Sequence, residues 1–115
     1  LVEFTAMASV LHSFYTGLEN IFISTAKGVD RDVPAGGGWH RKLLNQMKEP
    51  TPNRSPLLSD ESSHQLIEYL GFRHFYRHSY SFFLEWDRLE VLVKKLPEVW
   101  EQTKNEIEHF LGSIE

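Results

Sequence analysis

This sequence of 115 residues predicts an all-α, up-and-down four-helix bundle. Apolar residues recur at steps of three and four through most of the chain, which is the period of a helix buried on one face. The breaks between these stretches are rich in proline, glycine and aspartate. They are short enough to connect antiparallel neighbours.

In the first stretch, Phe4, Met7, Leu11, Phe14, Leu18 and Ile21 form one apolar stripe, so helix one is expected to run to about Ala26. The segment KGVDRDVPAGGG then reads as a loop, with Gly36 to Gly38 leading into a short second helix, WHRKLLNQM. Three prolines in KEPTPNRSP forbid its continuation. Ser59 is placed to cap a third helix, and Asp60 and Glu61 put negative charge on its first turn, where the helix dipole favours it. That helix is expected to pass through Leu66, Leu70 and Phe75 toward Tyr80. A fourth, from about Trp86 to the C-terminus, carries Leu89, Leu92, Leu96, Trp100, Ile107, Phe110 and Ile114, with Pro97 expected to bend it.

Residues 1–115 are expected to form a single domain, with no repeat or low-complexity tract. Leu1 falls inside a helical pattern and is not an initiator methionine, which leaves room for a longer natural N-terminus. The absence of cysteine excludes disulfides, thiolate zinc sites and cysteine nucleophiles. No apolar run reaches the ~20 residues of a membrane span, so a soluble cytoplasmic protein with no membrane partner is expected. A net charge of −4 argues against a broad nucleic-acid footprint. Any anion site must be local, and GFRHFYRHSYSF, from Gly71 to Phe82, is the densest cationic and aromatic cluster.

Metal chemistry fits poorly. His74 and His78 stand four apart on a helix, but Phe75 occupies the position where the metalloprotease pattern needs glutamate. The Glu61/His64 and Glu106/His109 elements have the spacing found in di-iron bundles. They lie near helix ends, where exposed charge is the simpler reading, so no metal and no cofactor is assigned. Gly36 to Gly38 lack the lysine and hydroxyl of a phosphate loop.

Arg73 and Arg77 share a helix face, and like charges so placed repel unless an anion or carboxylate lies between them. Arginine's planar fork suits a phosphodiester, and histidine both removes and donates protons near neutral pH. These are the parts needed to cut RNA without a metal. The plain alternative is that the arginines pair with Glu68 or Glu85 and that His78 is only a polar helix end. Arg73 and His78 also diverge by about 140° on a straight helix. Either the helix ends or deforms near His78, or a second copy of the segment completes the site.

Arg73, His78 and Tyr80 have the arginine-x4-histidine-x-tyrosine spacing, and LHSFYTGLENIF, WHRKLLNQM and FRHFYRHSYSF follow in order. In these features the chain resembles the HepT-like toxins of the HEPN superfamily. The resemblance covers most of the chain and implies a HEPN-like helical bundle acting as a homodimer. It further implies the toxin of a type VII-like toxin-antitoxin pair, a metal-independent endoribonuclease that cleaves RNA by 2′-hydroxyl attack. Arg73 would stabilise the phosphate and His78 would transfer protons. The implied partner is a nucleotidyltransferase antitoxin that inactivates the toxin by adding AMP to Tyr80. His74, Tyr76, Arg77 and His40 are supporting candidates, and the roles of Glu19 and His40 stay open. The alternative is a noncatalytic HEPN-type module that binds nucleotides or a nucleotidyltransferase.

Overall fold

The computed structural model describes residues 2–78 and 86–114, and the side chains of these except 2–5, 73–78 and 86. Four α-helices follow in order: α1 (Val2–Thr25), α2 (Trp39–Lys48), α3 (Asp60–His78) and α4 (Trp86–Ser113). The bundle is all-α. Among the described residues, the nearest thing to a strand is one bridged pair, Thr51 with Arg54.

Helix α1 packs against α2, α3 and α4, which requires a wide apolar arc. Its deepest seam is Ala8, Leu11, Tyr15, Leu18 and Phe22, all buried. The stripe expected from sequence shares Leu11 and Leu18 with this seam. Elsewhere it is displaced by one residue: Met7 and Phe14 are half-buried at the flank, and Ile21 is 38% exposed. Both stripes are apolar, so only contact with the other helices selects between them.

Beyond Thr25 the chain stays helical through a π-turn, Ala26–Asp30, where the sequence suggests a loop. Arg31, with φ 57°, closes it in the left-handed region. The wider turn brings Asp30 to Arg54, whose Nε and Nη2 donate to its two carboxylate oxygens at 2.7 and 2.8 Å. The loop 31–38 then returns the chain along α1, so that His40 of α2 meets Glu19, and Gln46 meets Asp30. Gly38 caps α2 at φ 73°, a conformation that costs little only for glycine.

Helix α3 starts beside the end of α2, where the backbone N–H groups of Leu57 and Leu58 both donate to the Met47 carbonyl. Ser59 is its N-cap, with its hydroxyl accepting from the Ser62 N–H at 3.1 Å. The Glu106 carboxylate of α4 adds a cap from across the bundle, accepting from the Ser59 N–H, the Ser59 hydroxyl and the Ser62 hydroxyl at 2.8 to 2.9 Å. Thus α3 begins where α4 is finishing, and the pair is antiparallel. Farther along, the buried Tyr69 hydroxyl donates to the Leu92 carbonyl at 2.7 Å. Burial, with the neighbouring Glu68 charge, pushes the Tyr69 phenol up to about 12.

Pro97 sits within α4 without ending it. Here too the inward positions depart from expectation: Val99 and Thr103 are buried, whereas Trp100 is 39% exposed and meets Phe14 edge-on at 6.2 Å.

Candidate functional site

The cationic motif occupies the last turns of α3. Helical backbone continues through His78, so the divergence between Arg73 and His78 applies as expected for an unbroken helix. Ser62, Leu66, Tyr69 and Phe72 define the buried side of α3, and His64, Glu68 and Gly71 the exposed side. Arg73 follows Leu66 by seven residues, which places it about 20° away around the helix, in the inward register. His78 follows exposed Gly71 by the same interval and takes the outward register. The two positions therefore take different registers on one helix.

The side chains of Arg73, His74, Tyr76, Arg77 and His78 lie outside the described residues, as does all of Tyr80. Of the sequence-predicted site residues, His40 is the one whose side chain is placed. It stands in the first turn of α2, half-buried, with Nδ1 2.7 Å from Glu19 Oε2 and its ring stacked on Trp39 at 3.7 Å. Glu19 is a carboxylate in the buried seam of α1, 6% exposed. A glutamate at an inward position of an amphipathic helix is the sequence signal for a special role; its partner, 21 residues away in the chain, leaves no such signal.

The candidate metal elements are not assembled. Glu106 is engaged by Ser59 and Ser62 as a helix cap. Among the described residues, no three histidine, aspartate or glutamate side chains lie close enough to hold a metal ion. Helical pattern alone does not reveal that Glu106 caps α3.

Openings elsewhere suit other chemistry. Between α1 and α4 lies a groove of about 670 Å³, lined by Val10, Phe14, Gly17, Ile21, Leu96 and Trp100 among others. None of the described residues that line it carries a positive charge to meet a phosphodiester. A smaller opening of about 360 Å³, where α3 passes the start of α4, is lined by Glu68, Asp87, Arg88, Val91 and Leu92. No helix among the described residues is long and apolar enough to cross a membrane.

No curated protein and no solved structure matches the chain. Its sequence does match the family described as HepT-like protein, over residues 6–114. With that match across an all-helical chain whose third helix carries the arginine-histidine motif, the protein belongs to the HepT-like family of the HEPN superfamily.

Proposed function

We propose that the protein is a ribonuclease toxin of a type VII-like toxin-antitoxin pair, working as a homodimer without a metal. The observation that carries this reading is the Arg73-x4-His78-x-Tyr80 spacing in a HepT-like chain. His78 takes the proton of an RNA 2′-hydroxyl as that oxygen bonds to phosphorus. The bond from phosphorus to the 5′-oxygen breaks, and the leaving oxygen takes up a proton. The products are a 2′,3′-cyclic phosphate and a 5′-hydroxyl end. Arg73 stabilises the charge that builds on the phosphoryl oxygens, where a planar two-pronged donor is most effective. The opposed registers of Arg73 and His78 favour a site to which two copies contribute. Arg77, His74, Tyr76 and His40 are its supporting residues.

Tyr80, two residues beyond His78, is the site of inactivation. A nucleotidyltransferase antitoxin transfers AMP to its phenol from a nucleoside triphosphate, with pyrophosphate leaving. The adduct sets bulk and negative charge beside the cationic motif and repels RNA.

RNA cleavage in excess chelator tests the core of this proposal. Arg73→Ala and His78→Ala should each lower the rate by about 100-fold or more while the protein stays folded. Unchanged cleavage by both would remove the assigned roles, and binding of nucleotide or nucleotidyltransferase without RNA turnover would favour a noncatalytic module. Co-production with the antitoxin should add one or more AMP masses to the peptide containing Tyr80.

A further inference from the structure

We infer that Arg31, Arg41 and Lys42, at the π-turn and the start of α2, form a binding surface for the sugar-phosphate backbone of RNA; the inference deepens the ribonuclease reading above and rests on it. Charge is unevenly spread along the chain. Acidic residues outnumber lysine and arginine by 16 to 12 overall, yet residues 27–48 hold Lys27, Arg31, Arg41, Lys42 and Lys48 against only Asp30 and Asp32. Of those two acids, Asp30 is taken by Arg54 and Gln46.

Cations elsewhere have carboxylates near them. Lys94 meets Glu90 at 3.0 Å and Lys104 meets Glu101 at 4.0 Å. Arg88 shares an opening with Glu68 and Asp87, and Lys95 shares another with Glu68 and Glu98. Arg31, Arg41 and Lys42 differ: they are exposed, and among the described residues their side chains form no hydrogen bond or ion pair.

Each of the three also stands where its own segment disfavours it. Arg31 closes the π-turn at φ 57°, a left-handed conformation that glycine or asparagine adopts at less cost. Arg41 and Lys42 lie in the first turn of α2, which holds no acidic residue, so both face the positive pole of the helix dipole. Local rules broken without compensation inside the chain point to a contact outside it.

Gln46 joins the two parts of this surface. Its Nε2 donates to Asp30 Oδ2 at 2.7 Å and to the Asp32 carbonyl at 2.9 Å, on either side of Arg31. Lys42 precedes Gln46 by four residues and shares its side of α2, so Arg31 and Lys42 border one edge of that helix. Arg41 adjoins them. A chain of net charge −4 repels RNA as a whole, so backbone contacts belong where cations are uncompensated. Guanidinium and ammonium groups grip phosphate oxygens without reading bases, so binding here should be indifferent to sequence.

The test replaces each cation by a residue that its segment accepts, Arg31→Asn, Arg41→Gln and Lys42→Gln, singly and together. Binding of a labelled single-stranded RNA of mixed sequence is followed across salt concentrations on a His78→Ala background, and cleavage kinetics on the parent background. Each substitution should weaken binding about fourfold near 0.15 M salt, and the three together about 50-fold. Each should also flatten the slope of log Kd against log salt by about 0.7. In cleavage, KM should rise with kcat little changed. Thermal midpoints should hold or rise, whereas a structural role would lower them. Unchanged RNA binding and KM in the triple variant of a protein that cleaves RNA overturns this inference alone. Poly-glutamate bound as tightly as RNA, and lost with the same substitutions, would assign the surface to an acidic protein and overturn it too. No RNA cleavage by the parent protein overturns the ribonuclease reading and the inference with it.

Discussion

Arg54 is fully buried, and its charge is tolerated because every direction of its guanidinium meets an acceptor. Nε and Nη2 grip the two oxygens of Asp30, and Nη1 and Nη2 also reach the carbonyls of Glu49, Ser55 and Gln46. The side chains of Arg54 and Asp30 are 0% and 2% exposed. Removing one partner leaves an uncompensated buried charge, so Arg54→Ala or Asp30→Asn should destabilise the fold by about 3–5 kcal/mol in denaturant unfolding. A loss under about 1 kcal/mol would show that water replaces the missing partner. The pair also sets an acid limit. Burial alone raises the Asp30 carboxyl, but the hydrogen bonds from Arg54 and Gln46 and the charge of Arg54 outweigh it and leave the pKa below 3.8. A lowered folded pKa contributes stability that is present above the unfolded value and is lost as pH falls through the folded one. This part of the acid unfolding should vanish in Asp30→Asn.

Helix α3 is held at its start by another helix as well as by its own cap. Ser59 satisfies the Ser62 N–H, and Glu106 satisfies the Ser59 N–H and both serine hydroxyls. Glu106→Ala should lower stability by about 1–2 kcal/mol, at the upper end for loss of a cap because three donors at the start of α3, and the Gln102 amide of α4, lose their acceptor together. Chemical unfolding midpoints check this, and a change below about 0.5 kcal/mol would mean that Ser59 suffices alone. The far end of the same helix carries the motif, so its stability bears on function. Loosening the start should cost stability before it costs the proposed activity. The π-turn after α1 has its own structural role, because the arc it adds aims Asp30 into the loop around Arg54.

The whole molecule extends 46 × 31 × 19 Å, and its motif helix presents Arg73 and His78 in opposed registers. A homodimer resolves that opposition, so light scattering at micromolar concentration should give the mass of two chains. The mass of one chain, together with full RNA cleavage, would require both groups to act from a single copy. With a net charge of −4, the proposed function requires a local RNA contact, and cleavage should then weaken as salt screens the few phosphate contacts.

Four helices, the Ser59 cap and the place of Pro97 were legible in the sequence, because periodicity and capping are local properties that each stretch carries by itself. So was the motif, a matter of spacing along one helix. Which of two apolar stripes on α1 faces inward was not legible: Met7, Phe14 and Ile21 are as apolar as Ala8, Tyr15 and Phe22. Nor were the pairings of Asp30 with Arg54, Glu19 with His40 and Glu106 with Ser59, which join residues 24, 21 and 47 positions apart. Such pairs leave no periodic trace, since a charged side chain reads the same in sequence whether it meets water or a buried partner. Composition and spacing determined that this chain is a helical bundle with a cationic motif on its third helix. Tertiary packing alone decided which polar groups enter the interior, because burial makes an unpaired charge too costly and so selects the partners that meet there.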